Sequence, residues 1–276
     1  MTRAAALDPG VGSRYRVDRP TLGVIMRDLR IPGGDPGPGD RIPLFDLPTT
    51  QGDRFSNATI AARGRPLVLV FGSLTCPITE SAGAGLVALH RRYGDAVDFV
   101  VVNVREAHPG ATVRQPQRAD EKLRNACALA DHHGFGFPVA VDDLDGSVHR
   151  AFGTRPSSAY VIDAAGTILF RAHWSNSLAA LEEAVRDVHA GGAPRRATAG
   201  QTVRALARMS GHADVALRTA GRGALRDFWL VAPPVALFLT LSRAFPMLPR
   251  ERRTAPTWGL LAAITLLAVS LTVLVV

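Results

Sequence analysis

Cys76 is one of two cysteines in this chain of 276 residues, and it lies within the segment FGSLTCPITES, residues 71–81. A hydrophobic run precedes Cys76 and Pro77 follows it, which predicts a turn from a buried strand into a helix that begins at Pro77. Free backbone N–H groups and the helix dipole at such a turn stabilise a thiolate, the reactive form of cysteine. The sequence therefore predicts a nucleophilic thiol whose pKa is lowered.

Burial as a small apolar residue is the alternative for Cys76. The turn before it contains Gly72, Ser73 and Thr75, which favour a polar, exposed loop and weaken that alternative. Three residues after Cys76, where a two-thiol redox motif has its second cysteine, the chain has Thr79. A local disulfide is therefore excluded.

Cys127 is the other cysteine. A thiol that resolves an oxidised Cys76 would have to come from Cys127, from another molecule or from a small thiol. Cys127 lies between alanines on a predicted helix, which favours core packing over redox chemistry.

The loop REAHP, residues 105–109, carries a second set of reactive side chains. It follows another hydrophobic run, and parallel neighbouring strands end at the same edge of a sheet. We therefore expect Glu106 and His108 near Cys76, where an imidazole can exchange protons near neutral pH and a carboxylate can orient it. An incidental histidine in a surface loop is the alternative. His132 and His133 are predicted to complement a helix C-terminus, and no spacing indicates a metal site.

The elements that would position these residues follow a strand–helix order typical of α/β proteins. Short β-branched runs indicate buried strands, and amphipathic stretches indicate helices. The predicted strands cover 66–72, 97–104 and 137–142, with hairpins over 41–56 and 157–174, and the predicted helices cover 77–93, 119–133 and 177–192.

Residues 65–171 resemble the iodothyronine deiodinase family of thioredoxin-like redoxins, through RPLVLVFGSLTCP, VDFVVVNVREAHP and YVIDAAGTILF. The resemblance implies a thioredoxin-like α/β fold, with a central mixed sheet flanked by helices, and a reductive, thiol-dependent site. Animal members have selenocysteine at the position of Cys76. The family's Glu and His fall on Glu106 and His108, and its Ser and Thr, which we assign to substrate binding, fall on Ser73 and Thr75.

Two positions depart from the family pattern. Leu74 replaces the cysteine that animal members have two residues before the nucleophile, which removes a local resolving thiol. Arg118 stands where a histidine of the family would follow, a departure at a position linked to the substrate iodothyronine; we assign Arg118 to substrate binding. Peroxiredoxins are the nearest rival family. Ser73 fits the hydroxyl position of their motif, Leu69 replaces their proline, and Arg155 could be the arginine that such enzymes aim at the thiolate.

The C-terminal part differs in charge and hydropathy. Residues 191–276 hold 11 arginines against three acidic residues, so the whole net charge of +8 lies there. This favours a membrane partner over nucleic acid. The N-terminus has no apolar core of a signal peptide. The apolar run over 258–276 predicts a transmembrane helix, whereas Pro233 and Pro234 interrupt a second run over 228–245. A two-span hairpin is the runner-up.

We therefore expect an irregular arm over 1–40, a thioredoxin-like domain over 41–190, a basic amphipathic linker over 191–227 and a C-terminal membrane region over 228–276. The domain would be cytoplasmic and anchored through the C-terminus. Homodimers are compatible with this organisation.

Three functions fit this organisation. The first is a thiol oxidoreductase in which Cys76 attacks a small-molecule electrophile, with an external thiol, such as a thioredoxin or a small thiol, as the reductant and no bound cofactor. The second is a thiol peroxidase. The third is a non-catalytic docking domain at the membrane, which a Cys76 pKa near the ordinary value of about 8.5 would favour.

Overall fold

The computed structural model describes residues 15–30, 34–153, 155 and 157–275. Its strands are short and coincide with the β-branched and aromatic runs of the sequence, which suit a pleated, buried surface. They are β1 (Asp46–Pro48), β2 (Arg54–Ser56), β3 (Leu67–Gly72), β4 (Asp98–Asn103), β5 (Val139–Val141), β6 (Ala159–Ile162), β7 (Ile168–Ala172) and β8 (Thr198–Ala199).

The helices begin and end at recognisable signals, such as Pro77 at a start and Gly134, with a φ of 64°, at an end. They are α1 (Leu22–Leu29), α2 (Asn57–Arg63), α3 (Pro77–Tyr93), α4 (Ala119–His133), α5 (Ser147–Ala151), α6 (Leu178–His189), α7 (Thr202–Ser210), α8 (Ala213–Ala220), α9 (Ala224–Val231), α10 (Pro233–Ser242) and α11 (Thr254–Val275), with a 3₁₀ turn at Arg250–Arg252.

Six strands form one mixed sheet in the order β5-β4-β3-β6-β7-β8. β3 runs parallel to β4, and β6 runs antiparallel to both β3 and β7. The apolar side chains of the central strands point alternately into two buried clusters, one on each face of the sheet. This confirms the predicted α/β fold with a central mixed sheet flanked by helices. Because Gly72 pairs with Asn103, the loops after β3 and β4 leave the sheet side by side.

The N-terminal region differs from the predicted irregular arm, because it contains α1. The side chain of Thr21 accepts a hydrogen bond from the backbone N–H of Val24 and so caps the helix. Eight residues are too few to show a sustained period in the sequence. The N-terminal part of the predicted arm, residues 1–14, lies outside the described residues.

The predicted linker over 191–227 also differs from the expectation. Instead of lying on a membrane surface, α7 and α8 pack against α3. The same amphipathic pattern serves either purpose, since the apolar face only has to meet another apolar surface. In the next segment, α9 and α10 are separate helices that meet at Ala232, where Pro233 and Pro234 break the apolar run as predicted.

The structure does not support the predicted transmembrane helix over 258–276. Among the described residues, no helix combines the length and the apolar character that crossing a membrane requires. The first turns of α11 instead pack against the C-terminal helices: Thr257 is fully buried, the hydroxyl of Thr254 donates to the carbonyl of Ala207, and the ring of Trp258 packs on Phe238. Position 276, at the end of the predicted span, lies outside the described residues.

Candidate active site

Cys76 occupies the N-cap position of α3, directly after the turn that leaves β3. Its backbone N–H donates to the carbonyl of Ser73, and its own carbonyl accepts from the N–H of Glu80 at 2.9 Å. Pro77 needs no hydrogen-bond partner in the first turn. The strand–turn–helix geometry therefore agrees with the sequence prediction, and the thiol faces the free N–H groups of a helix start.

Burial decides the ionisation of this thiol. Hydrogen bonds from the backbone and hydroxyl of Thr79 and from the backbone of Ile78 lower the pKa of Cys76, but removal of water outweighs them and raises the pKa above its ordinary value. The prediction of a lowered pKa is therefore wrong for this conformation. The sequence showed the helix start but not the side chains that exclude water from the sulfur.

Those side chains form an apolar cover. Cys76 is only 3% exposed and shares a cluster with Trp174, after β7, and with Ala205 of α7. Leu29 of α1 and Met209 of α7 pack against the same cluster. Helices from the N-terminal and C-terminal parts of the chain thus pack over the thiol and leave it nearly without contact with solvent.

Glu106 joins the two loops at the sheet edge. Its Oε2 accepts hydrogen bonds from the backbone N–H of Thr75 at 3.0 Å and from the Thr75 hydroxyl at 2.7 Å. Its Oε1 accepts from Nδ2 of Asn125 at 3.1 Å, and its own backbone N–H donates to Gln115. Burial raises the pKa of the carboxyl in spite of these donors. Glu106 therefore ties the Cys76 turn to the loop after β4.

His108 lies in the same loop and is held through its backbone. Its N–H donates to the hydroxyl of Thr75 at 3.1 Å, and its ring contacts Phe228 of α9 edge-on, with the centroids 5.5 Å apart. Burial, and to a lesser extent the charge of Arg105, lowers the pKa of His108 to about 4. The imidazole is therefore neutral at neutral pH, and its buried Nδ1 has no hydrogen-bond partner in the described part of the chain.

Ser73 and Thr75, predicted to bind substrate, form part of this frame. The Ser73 hydroxyl accepts a hydrogen bond from the backbone N–H of Ala107 at 3.3 Å. The Thr75 hydroxyl donates to Glu106 and accepts from His108. Both hydroxyls are buried and already bonded, so they position the loops.

Arg155, also predicted to bind substrate, lies against Trp174, which shares a cluster with Cys76. Its side chain is 3% exposed and lies over the ring of Trp174 at 5.4 Å, in the cluster that contains the thiol. None of its three guanidinium nitrogens has a hydrogen-bond partner among the described residues. Burial, followed by the charge of Arg171, lowers the pKa of Arg155. Such an unpaired cation can receive an anionic group.

Two other predicted residues lie apart from this group. Arg118 is exposed at the start of α4 and forms a two-pronged ion pair with Asp120 of its own helix, so its assignment to the substrate site is not supported by its position. Cys127 is a free, half-buried thiol and is not part of the cluster around Cys76.

Sequence reasoning missed Thr79, Trp174 and Phe228 as site residues. A signal existed for Thr79, because the third residue of a helix places its N–H and hydroxyl near the N-cap. Trp174 and Phe228 gave none, since their contacts depend on how distant segments pack.

A model of the iodothyronine deiodinase family matches residues 38–187, more than half of the chain. Thyroxine 5-deiodinase of Homo sapiens is 29% identical over 147 residues, which cover 50% of this chain and 46% of that protein. Thyroxine 5-deiodinase of Sparus aurata is 32% identical over 108 residues, which cover 36% of this chain and 40% of that protein. The chain thus spans less than half the length of these curated relatives.

Among solved structures, an uncharacterized conserved protein from Geobacillus kaustophilus is similar with a TM-score of 0.48 and 19% identity, covering 59% of this chain and 87% of that chain. The fold assignment rests on the strand order given above. The family match includes both loops of the site, as the resemblance of the sequence motifs predicted. The chain belongs to the iodothyronine deiodinase family.

Proposed function

We propose that this protein is a thiol-dependent oxidoreductase in which Cys76 reduces a carbon–halogen bond or another soft electrophile. The observation that carries the proposal is the position of the thiol at the start of α3, within reach of hydrogen bonds from Ile78 and Thr79. These donors stabilise a thiolate once water or substrate relieves the burial. The names of the curated relatives support a halogen as the atom attacked.

The reaction balances with two equivalents of an external thiol. The Cys76 thiolate attacks iodine, the carbon–iodine bond breaks, and the carbon takes a proton, which leaves a sulfenyl iodide on Cys76. One external thiol displaces iodide and forms a mixed disulfide. A second thiol releases Cys76 and leaves as the oxidised disulfide. Neutral His108 would accept the Cys76 proton and pass it to carbon, and Glu106 would act as a positioning residue through Thr75.

The cover must open for this chemistry. In the described conformation burial raises the pKa of Cys76 and lowers that of His108, so proton transfer from the thiol to the imidazole is unfavourable. Movement of α7 and α9 would admit water or substrate and reverse both shifts. A cavity of about 440 Å³ beside the loop, lined in part by Pro109, Gln115 and Asp227, offers a place for a substrate to dock, since its volume is within the range of small-molecule sites.

The test is a titration of Cys76 alkylation against pH in a Cys127→Ser background, combined with assays of an iodinated phenol in the presence of a dithiol. Turnover of the iodinated phenol that disappears in Cys76→Ser and falls in His108→Ala supports the proposal.

Arg155 beside Trp174 favours a peroxidase as the second candidate, because an unpaired cation near the cluster that contains the thiol suits an oxygen leaving group. Fast sulfenic acid formation with hydrogen peroxide and no deiodination would select it.

The raised pKa of Cys76 is the observation that favours a docking domain without catalysis. An alkylation pKa of about 8.5 or higher, with neither the iodinated phenol nor the peroxide consumed, would select that function and exclude the other two.

We also propose that α11 contacts a lipid surface. Exposed apolar side chains of α11, Ile264, Leu266 and Leu267, follow a turn that carries Arg250 and Arg252, which suits an anionic lipid surface. Flotation with vesicles of anionic lipid should retain the full chain, and Leu266→Glu should release it. Equal flotation of both proteins would rule out this contact.

A further inference from the structure

One carboxylate and two imidazoles meet at the first turns of α3. Oε2 of Glu80 lies 2.7 Å from Nε2 of His132 and 3.9 Å from Nε2 of His133. One ligand atom from each of the three residues lies within 4.8 Å of the other two. Tetrahedral zinc with bonds of about 2.0–2.1 Å holds neighbouring ligand atoms roughly 3.3 Å apart, a value between the two distances from Oε2 of Glu80.

Two of the three side chains are buried, and the group is incompletely bonded. The side chains of Glu80 and His133 are 8% and 6% exposed. Nε2 of His133, which faces the Glu80 carboxylate, has no hydrogen-bond partner within the ranges that the structure describes. A buried polar atom without a partner costs stability, and a bound metal ion would remove that cost.

The backbone leaves room for this arrangement. Gly83 lies one turn after Glu80 on the same face of α3, and a Cβ at that position would come within 2.2 Å of Nδ1 of His133. Only glycine therefore admits the imidazole at this place. His133 is the last residue of α4, so the two helices meet end to side at the cluster.

Arg250 is a charged residue close to Glu80 that opposes a cation. Its Nη1 lies 3.7 Å from Oε1 of Glu80, the oxygen that does not face the imidazoles, and its side chain is 44% exposed. The guanidinium can keep this contact or turn toward solvent while Oε2 binds a metal. A carboxylate with two imidazoles, and no thiolate, is a ligand set that zinc uses with water in the fourth position.

We propose that Glu80, His132 and His133 form a binding site for a divalent transition metal ion, with zinc as the best-matched ion. The metal fastens the first turn of α3 to the end of α4. Because the N–H of Glu80 donates to the carbonyl of Cys76, the same metal holds the helical turn that follows the thiol. The site is independent of the reaction proposed for Cys76.

The test uses the full chain, stripped with a chelator and carrying Cys76→Ser and Cys127→Ser so that no thiol can bind metal. Isothermal titration with zinc chloride should show one equivalent, and cobalt(II) should give the visible absorption of a tetrahedral site. His132→Gln should weaken zinc binding at least tenfold; this side chain is 30% exposed, so the variant should fold. His189→Gln, an exposed histidine at the end of α6, is the matched control and should bind as the parent does.

Thermal unfolding gives a second measurement. Zinc should raise the unfolding temperature of the parent and of His189→Gln, and leave that of His132→Gln and Glu80→Gln unchanged. Absence of binding in the protein without cysteines, or equal affinity in the parent and His132→Gln, would overturn the proposal. Either result leaves the reaction proposed for Cys76 untouched.

Discussion

The two sides of the Cys76 turn are built in different ways. Toward the loop after β4, hydrogen bonds from Thr75 to Glu106 and from His108 to Thr75 fix the geometry. Toward the C-terminal helices, the side chains of Ala205 and Met209 make apolar contacts around the thiol. Three hydrogen bonds also join α7 to Trp174 and Asn176 in the segment after β7. Hydrogen bonds are directional and costly to leave unmade, whereas apolar contacts can slide. The comparison indicates a rigid frame on one side of the thiol and, on the other, an apolar cover that can move only when the hydrogen bonds of α7 break.

Removal of the Glu106 carboxylate should have the largest effect, because it leaves the backbone N–H and the hydroxyl of Thr75 buried without an acceptor. We expect Glu106→Ala to lower the free energy of unfolding by about 3 kcal/mol, and Glu106→Gln to lower it less, since its amide oxygen can still accept. Urea denaturation measures both. Glu182→Ala, which loses only an exposed ion pair with Arg92, should change stability by less than about 0.5 kcal/mol. Equal losses of unfolding free energy in Glu106→Ala and Glu182→Ala would show that the hydrogen bonds of Glu106 do not form a rigid frame.

The second largest effect is expected from acid, which should lower the folding stability through the buried imidazole of His108. The pKa of His108 is lowered from 6.5 to about 4 by burial, so this residue contributes stability that is present above about pH 6.5 and is lost as the pH falls through about 4. Between pH 7.5 and 5 the loss attributable to His108 is about 2 kcal/mol. His108→Gln should remove that part of the pH dependence of urea denaturation, and His189→Gln should retain it. An unchanged slope in His108→Gln would show that the imidazole is accessible to water.

The cover is tested by Phe228→Ala. Deletion of the ring that contacts His108 should favour opening and raise the alkylation rate of Cys76 about tenfold, which corresponds to about 1.4 kcal/mol. Trp229→Ala is the control, because Trp229 is the next residue of α9 and is 38% exposed. The rate is measured at pH 8 in the Cys127→Ser background. A rate equal to that of the control would mean that opening does not involve α9.

Thr79 should have the smallest effect. Its hydroxyl bonds to the sulfur and lowers the pKa of Cys76, so Thr79→Val should raise that pKa and slow alkylation at pH 8 by about threefold. Thr79→Ser keeps the hydroxyl and should react at the rate of the parent. Identical rates for the valine and serine variants would show that burial alone sets the ionisation of the thiol.

The sheet and the two site loops could be predicted from the sequence because their signals are local. The run LVLVFG marks β3, Pro77 marks the start of α3, and Gly134 marks the end of α4. The proximity of Glu106 to the Cys76 turn also follows from local information, since parallel strands end at one edge.

The cover and the cluster around Glu80 could not be predicted, because they depend on contacts between distant segments. An amphipathic helix such as α7 has the same pattern whether its apolar face meets lipid or protein. Glu80 and His132 are 52 positions apart, and no spacing rule joins them. The pKa of Cys76 was mispredicted for the same reason, as its direction depends on Trp174 and on residues of α1 and α7.

β8 limits how the cover can move. Thr198 and Ala199 pair with Arg171 and Ala172 at the edge of the sheet, and α7 begins at Thr202. Three residues of extended chain reach roughly 10 Å, so the start of α7 stays within about that distance of the sheet edge. The other end of α7 is held as well, because Arg208 donates a hydrogen bond to the carbonyl of Asn176 at 2.6 Å. Opening of the cover would therefore have to break this bond while the start of α7 stays close to β8.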